Sequence, residues 1–322
     1  MLGDAKRNLH HKQIKILIIM PDEDITLRKL QLLELKILLE FKRICEKHNI
    51  QYFLLWGTLL GAVRHQGFIP WDDDIDVGML RSEYVKFLTI CNEELSQEYF
   101  LQTFESDSGY ANSFAKLRLN GTEAPESVND DKLNHKGIWI DIFPLDHVPN
   151  NYLFQKIHIF RLRALSQMCY IKYGYTIKPT KLIRKVLHLG LRFFSAVFSK
   201  TQAIEMREKL LQKYNSRRTD YYIVSSLYLE RYSGILPCCI PSKIFDQFSE
   251  LEFEGIRFPV PAGYVTYLEC VYGDYMRLPP EHERIKHTPY PPYFGEYANI
   301  NSVDDVLESI TFLNKTENTT YK

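Results

Sequence analysis

An acidic cluster carries the clearest chemical signal in the chain. Four aspartates stand within five positions, at Asp72, Asp73, Asp74 and Asp76, where an apolar segment begins. An extended strand over 74–79 would direct the carboxylates of Asp74 and Asp76 to one face, because they are two residues apart. Carboxylate oxygens suit hard cations such as Mg²⁺ or Mn²⁺, which neutralise phosphate oxygens during phosphoryl or nucleotidyl transfer. The pattern predicts a metal-binding pair on a strand, and the alternative is a solvated acidic turn.

The segment upstream predicts a phosphate-binding helix start. An apolar strand over 51–56 breaks at Gly57 and Thr58 into a short helical segment. The first backbone N–H groups of a helix have no partner within it and bind phosphate readily. Thr58 would add a hydroxyl and Arg64 a guanidinium. We therefore expect Gly57, Thr58 and Arg64 to bind a nucleotide substrate together with Asp72, beside the metal.

A third carboxylate, Asp141, interrupts the apolar segment 138–143. A buried carboxylate needs a partner to offset its lost hydration. We expect Asp141 to join Asp74 and Asp76 as a metal ligand or as the general base, two roles that the sequence leaves open. The alternative is a salt bridge to a buried arginine or lysine. Asp146 is a weaker candidate, because it has the position of a turn residue.

Three cationic side chains are further candidates for binding substrate. Lys116 and Arg118 alternate on a strand over 113–119, so both would point to one face, as phosphate-binding cations should. The alternative is a solvated strand face. His287 follows a proline-rich loop and would reach the phosphates or the acceptor, unless it is an ordinary surface histidine.

Three ordered motifs resemble the LicD family of bacterial phosphocholine transferases, which is related to fukutin and fukutin-related protein. They run from Trp56 to Val77, from Gly137 to Asp146 and from Phe253 to Pro280. The resemblance implies a nucleotidyltransferase-like fold and transfer of a phospho-alcohol, typically phosphocholine from CDP-choline, to a glycan hydroxyl. It also favours a phosphate-binding role for Arg118.

The predicted fold is α+β, a nucleotidyltransferase-like mixed sheet flanked by helices, with a basic helical insertion. The expected partners are CDP-choline or another CDP-alcohol and a glycan or lipid-linked glycan acceptor, with CMP released. Two alternatives remain open. The same fold could transfer phosphoribitol, phosphoglycerol or a whole nucleotide, or the chain could be a scaffold that has lost the chemistry.

The insertion is a basic segment of a chain that has no net charge. Between Lys156 and Lys213 there are thirteen lysines and arginines against two glutamates, and bulky apolar residues interleave with the cations over 181–194. This pattern predicts an interfacial helix lying on an anionic bilayer. The alternative is a helical insertion whose cations are simply solvated. The expected divisions are 1–24 (N-terminal extension), 25–150 (catalytic core), 151–220 (insertion), 221–300 (C-terminal part) and 301–322 (tail).

Composition excludes several classes of protein. Forty basic and forty acidic residues give no net charge, which argues against a general nucleic-acid binder. The six cysteines form no C-x-x-C pair, so we expect no zinc site. The apolar run 14–20 is too short for a membrane span and lacks a signal-peptide cleavage site. We therefore expect a cytoplasmic protein. If the basic insertion lies on a bilayer, the protein would be bound peripherally at the inner face of the cell membrane.

Overall fold

The computed structural model shows helices and strands that alternate from α1 to β3 and then follow in runs of one kind. It describes residues 22–124, 126, 134–175, 182–224, 239–284 and 291–317. The helices are α1 (Asp22–Lys47), α2 (Trp56–His65), α3 (Arg81–Glu94), α4 (Tyr152–Lys172), α5 (Leu182–Ser195), α6 (Lys200–Leu211), α7 (Tyr264–Tyr272) and α8 (Val303–Glu317). The strands are β1 (Phe53–Leu54), β2 (Asp76–Leu80), β3 (Tyr99–Gln102), β4 (Ala115–Leu119), β5 (Trp139–Val148), β6 (Tyr221–Val224), β7 (Ile240–Pro241), β8 (Phe248–Phe253) and β9 (Ile256–Pro261).

One mixed sheet organises the described part of the chain. Its order is β1-β2-β5-β4-β3, and β6 and β7 extend it from the second half of β5. Strands β2 and β5 are parallel neighbours, whereas the other pairs in the sheet are antiparallel. The long β5 thus lies at the centre, with β2 on one side and β4 on the other along its first half.

Helix α1 covers one face of this sheet with an apolar stripe. Leu33, Ile37 and Phe41 recur at helical spacing and are fully buried. The Phe41 ring packs against Tyr52 and Phe87, with both pairs of ring centroids 4.9 Å apart. Burial of each such side chain stabilises the fold by about 1.5–3 kcal/mol, so α1 is a structural part of the core.

The insertion forms a helical layer beside the sheet. Helices α4 and α6 pack together around small clusters of their own, one of which includes Ile159, Leu162 and Leu210. Arg207 of α6 is fully buried and donates hydrogen bonds to the carbonyl oxygens of Ala111 and Asn112, which lie just before β4. Within the described ranges, no helix combines the length and the apolar character needed to cross a bilayer.

A C-terminal hairpin closes the other side of the molecule. Strands β8 and β9 pair from Phe248 with Pro261 to Phe253 with Ile256. At the turn, Glu254 accepts a hydrogen bond from Arg28 of α1 at 2.7 Å and from the backbone N–H of Phe68 at 3.1 Å. These contacts fix the hairpin against the segment that follows α2, and α7 then leads into the wall of the cleft described below.

The α+β class predicted from the sequence is confirmed, with two differences in detail. Strand β2 begins at Asp76, so the prediction that Asp74 belongs to the strand is wrong. Asp146 lies inside β5 instead of in a turn. Its side chain is fully buried, and its Oδ1 accepts hydrogen bonds from Arg81 Nε at 2.8 Å and Asn215 Nδ2 at 2.7 Å. For 182–188 the structure describes the backbone of α5 alone, so the amphipathic face expected there lies outside the described side chains.

Candidate active site

A cleft of about 710 Å³ opens where α2, the acidic segment and the chain after α7 meet. Three of the sequence-predicted groups, the start of α2, Arg64 and the acidic cluster, contribute to it. The lining residues are Trp56, Gly57, Leu60, Arg64, Ile69, Trp71, Asp72, Asp74, Asp76, Val271, Tyr272, Asp274, Tyr275, Arg277, Leu278, Pro279, Pro280 and Glu283. Asp74 therefore reaches the same cleft as Asp76 although it precedes the strand.

Strand register brings the predicted third carboxylate next to this cleft. Asp76 is paired in register with Asp141 across the parallel strands β2 and β5, and Asp141 in turn with Lys116 across β5 and β4. Residues paired in this way direct their side chains to the same face of a sheet. Lys116 Nζ lies 2.8 Å from Asp141 Oδ1 and 3.3 Å from a carboxylate oxygen of Glu126. The salt bridge to a buried lysine, named above as the alternative for Asp141, is present.

The two carboxylates have strongly perturbed electrostatics. Burial, followed by the charges of Asp74 and Asp141, raises the pKa of Asp76 well above its usual value of 3.8. Burial also raises the pKa of Asp141 to about 6, against the opposing effect of the Lys116 ammonium. Asp76 Oδ1 is buried and has no hydrogen-bond partner within the described ranges. An unsatisfied buried carboxylate oxygen among like charges is costly, and it fits a position where a cation binds.

Glu34 is a member of this cluster that the sequence pattern does not single out. It lies on the buried side of α1, 2% exposed, and its Oε2 has no hydrogen-bond partner. Burial, then Asp73, Asp74 and Asp72, raise its pKa well above the usual value. The available signal was a glutamate between Leu33 and Leu35, inside an apolar stripe where charge is unexpected.

The chemistry of these donors fits a hard divalent cation, although the arrangement is not a finished metal site. Across the described ranges, no group of three histidine, cysteine, aspartate or glutamate side chains is positioned to hold a metal ion. The fit rests instead on donor type and on the unpartnered oxygen of Asp76. Asp74, Asp76 and Asp141 would hold Mg²⁺ or Mn²⁺, as predicted, and that assignment stays a prediction.

The start of α2 approaches the acidic segment closely. Trp56 has a positive φ of 40°, and the helix has no side-chain cap at its first residue. A Cβ atom on Gly57 would lie 2.7 Å from Asp72 Oδ2, so a side chain at this position would require the Asp72 carboxylate to move. The Thr58 hydroxyl accepts a hydrogen bond from the Asp76 backbone N–H at 2.8 Å. Thr58 therefore anchors the start of β2, a structural role beside the substrate contact that was predicted for it.

Arg64 lies on the last turn of α2 and faces the cleft. Its Nη1 donates to the backbone carbonyl of Tyr275 at 2.9 Å, and its Nε to His65 Nε2 at 2.9 Å. These bonds hold the guanidinium against the opposite wall of the cleft. A cation fixed there is placed to contact an anionic substrate.

The second predicted cation, Arg118, lies in a buried network. Its Nε donates to Gln102 at 2.6 Å, its Nη1 to the Gly137 carbonyl at 2.7 Å and its Nη2 to Glu126 at 2.6 Å. Both Arg118 and Lys116 are 2% exposed, so the alternative of a solvated strand face is wrong. Arg118 does not belong to the described lining of the cleft, and its phosphate role stays a prediction.

Asp72 and His287 are the remaining predicted site residues. Asp72 lines the cleft, and its backbone carbonyl accepts a hydrogen bond from Gln31 at 2.8 Å. His287 lies outside the described residues. Aromatic side chains form much of the wall, and the Arg284 guanidinium lies 4.3 Å from the ring centroid of Trp71. That cation–aromatic contact shows that the Trp71 face accepts a positive group.

The comparisons with known proteins agree with the family resemblance seen in the sequence. A model of the nucleotidyltransferase domain shared by LicD, FKTN and FKRP matches residues 49–174, which include β2, β4, β5 and both paired carboxylates. The chain is 36% identical over 271 residues to lipopolysaccharide cholinephosphotransferase LicD of Haemophilus influenzae, covering 82% of this chain and 96% of that protein. The chain belongs to the LicD family.

Shorter stretches of the chain are similar to other proteins. A stretch of 109 residues is 44% identical to the uncharacterized protein RP689 of Rickettsia prowazekii, covering 34% of this chain and 37% of that one. A stretch of 36 residues is 47% identical to the human ribitol 5-phosphate transferase FKRP, covering 11% of this chain and 7% of that one.

Proposed function

We propose that this protein transfers phosphocholine from CDP-choline to a hydroxyl of a cell-surface glycan precursor, such as lipopolysaccharide, and releases CMP. The carrying observation is the pairing of Asp76 with Asp141 on adjacent parallel strands beside the cleft, in a chain of the LicD family. Carboxylates concentrated at one cleft are suited to phosphoryl transfer, where catalysis consists largely of positioning and charge stabilisation.

The chain's own residues would bind and orient the donor. Arg64 would contact the diphosphate. Gly57 has no side chain and lines the cleft at the start of α2, so its backbone would be accessible to the donor. Asp74, Asp76 and Asp141 would hold Mg²⁺ or Mn²⁺, which when bound would neutralise the diphosphate and the departing CMP.

Transfer would proceed by attack of an acceptor hydroxyl oxygen on the distal phosphorus. The new P–O bond forms as the bond to CMP breaks, and CMP departs as an anion. The hydroxyl proton passes to a carboxylate if Asp141 is the base, or to solvent if Asp141 is the third ligand.

Aromatic residues in the cleft support choline as the alcohol. Trp56, Trp71, Tyr272 and Tyr275 are among its lining residues. Aromatic faces attract quaternary ammonium groups through their electron-rich rings. Trp71 already contacts one delocalised cation, Arg284. These four residues are our proposal for the aromatic side chains that would surround a choline headgroup.

The test measures CMP released from CDP-choline, with lipopolysaccharide lacking phosphocholine as acceptor and Mg²⁺ or Mn²⁺ present. We expect Asp76→Asn to lower the rate by about a hundredfold or more, the usual effect of losing one electrostatic contact to a transition state. Asp304→Asn, an exposed aspartate on α8, is the matched control. Wild-type rates from Asp76→Asn would refute the proposal.

A second candidate is transfer of phosphoribitol, which the local identity to a ribitol 5-phosphate transferase favours. Parallel reactions with CDP-choline, CDP-ribitol and CDP-glycerol test this candidate. Each donor releases CMP, so one assay compares the rates of transfer of the three alcohols. Faster release from CDP-ribitol would replace choline by ribitol as the donated alcohol, and no release from any donor would point to a scaffold.

We also propose a cytoplasmic location, supported by the free thiols of Cys45, Cys91 and Cys169.

A further inference from the structure

A second cavity, of about 700 Å³, lies on the helical insertion, apart from the carboxylate cleft. We call it the basic cavity, because Arg161, Lys213, Arg217 and Arg218 are among its lining residues. Its described lining carries no carboxylate side chain; the other members are Pro149, Asn150, Asn151, Phe154, Ile157, His158, Tyr214 and Thr219. A concave surface that is lined by positive charges raises the local concentration of anions.

A buried polar atom in the basic cavity points to a ligand. His158 is 3% exposed, and its Nε2 has no hydrogen-bond partner in the described part of the chain. Its ring packs edge-on against Tyr214, with centroids 5.1 Å apart. Burial, together with Lys213 and Arg161, lowers the pKa of His158 to about 4. Buried polar atoms are nearly always satisfied, so this nitrogen fits a position where a ligand oxygen binds.

An exposed apolar stripe runs along the helix that forms one wall of the basic cavity. Leu153, Ile157 and Phe160 of α4 are 60%, 46% and 69% exposed. Their spacing of four and three residues places them on one face of the helix. We call these three residues the apolar ridge. Phe154, which is 59% exposed, and Ile157 also line the basic cavity, so the two features are continuous.

Neighbouring side chains have the pattern of a membrane interface. Lys156 lies on the exposed side of α4, with its Nζ 4.3 Å from the centroid of the exposed Tyr152 ring. Aromatic rings beside cations are favoured at headgroup depth, where the ring is apolar and the cation meets anionic lipid. A contiguous exposed apolar stripe on a folded protein marks a surface that another phase or molecule covers.

We propose that this face docks on an anionic phospholipid bilayer, with the apolar ridge in the headgroup region and a lipid phosphate in the basic cavity. Charge complementarity favours a bilayer over a protein partner, because four cations line the basic cavity beside the ridge and the described lining of the cavity carries no carboxylate. The docking element is α4, whereas the sequence pattern pointed to 181–194. The proposal does not rest on the transferase activity.

Co-sedimentation with phosphatidylcholine vesicles, with and without phosphatidylglycerol, tests the docking. We expect the wild-type protein to bind vesicles that contain phosphatidylglycerol and to lose that binding at high salt. Ile157→Ser with Phe160→Ser should weaken binding by about tenfold or more. Arg217→Gln and Arg218→Gln should each weaken it about fivefold, the usual effect of one cation near an anionic surface.

Matched controls come from other exposed positions. Val85 of α3 is 50% exposed, and the side chain of Arg257 on β9 is 79% exposed. Val85→Ser and Arg257→Gln should leave vesicle binding unchanged. Insertion is tested with Phe160→Trp and Val85→Trp in vesicles of brominated phosphatidylglycerol, which quench a tryptophan only when it enters the bilayer. We expect quenching at position 160 alone.

Three results would overturn the proposal. The first is equal sedimentation of the wild-type and ridge variants with phosphatidylglycerol vesicles. The second is a dimer in light scattering that Phe160→Ser abolishes, since the ridge would then be an interface between two copies of this chain. The third is inorganic phosphate binding that requires Arg217 and Arg218 in a protein that binds no vesicles, because the cavity would then hold a free anion.

Discussion

Neutralising a carboxylate of the candidate site should stabilise the protein when no divalent cation is present. The perturbation is Asp141→Asn, assayed by chemical unfolding with a chelator. In the folded chain the pKa of Asp141 rises from its usual 3.8 to about 6. One pKa unit corresponds to about 1.4 kcal/mol, so ionised Asp141 costs on the order of 3 kcal/mol at pH 8, even beside Lys116. We expect the amide variant to gain a free energy of unfolding of that order.

The pH dependence gives this prediction its sign. An acid whose folded-state pKa is raised imposes no penalty below its unfolded pKa, near 4, because both states are then protonated. The penalty grows between about pH 4 and pH 6 and is fully present above. The stability difference between Asp141→Asn and wild type should therefore vanish near pH 4 and level off above pH 6. Asp304→Asn should show no such trend, since Asp304 is exposed.

The opposite sign would refute the reasoning. If Asp141→Asn were less stable than wild type at pH 8, the ion pair with Lys116 at 2.8 Å would outweigh the desolvation of the carboxylate. Asp76→Asn sharpens the comparison. Burial and then the neighbouring carboxylates raise the pKa of Asp76, and its Oδ1 has no hydrogen-bond partner among the described residues, so its gain should exceed that of Asp141→Asn.

Three further predictions concern the same cluster. Mn²⁺ should raise the melting temperature of the wild type but not of Asp76→Asn, because a ligand stabilises only the state that binds it; equal shifts would remove Asp76 from the metal site. Lys116→Met should destabilise the protein by about 3–5 kcal/mol, with much of the loss recovered by adding Asp141→Asn, as urea unfolding of the four proteins would show. Gly57→Ala should slow CMP release by about tenfold or more, since its Cβ would lie 2.7 Å from Asp72 Oδ2; unchanged kinetics would mean that the helix start does not contact the donor.

Local pattern carried the prediction of the fold a long way. The i, i+4 spacing of Leu33, Ile37 and Phe41 predicts α1, because helical periodicity depends on neighbouring residues alone. The same reasoning failed at the start of β2. Alternation placed Asp74 in a strand, but the Asp76 backbone N–H donates to Thr58 and the ladder begins there. A strand boundary depends on partners distant in sequence, which alternation does not contain.

The roles of the charged residues were harder to predict, because each depends on what faces the side chain. Arg118 and Lys116 have the same residue type and the same alternation as phosphate-binding cations. Their partners, Gln102, Glu126 and Asp141, come from β3, a loop and β5. No spacing rule relates these segments. Register across three strands, which the sequence does not print, turned two candidate ligands into parts of a buried network.

The site's charge imbalance connects its stability to its proposed chemistry. Among the charges that act most strongly on Asp76 in the described part of the chain, Asp74, Asp141 and Asp72 are carboxylates and Lys116 is the ammonium. That ammonium lies within 3.3 Å of both Asp141 and Glu126. Because these two carboxylates already offset its positive charge, it compensates only part of the repulsion at Asp76. A fold that retains such repulsion gives up stability that an amide would restore. The cost is understandable if a cation offsets it during the reaction, and variants that gain stability without the ion should then be those that lose their response to it.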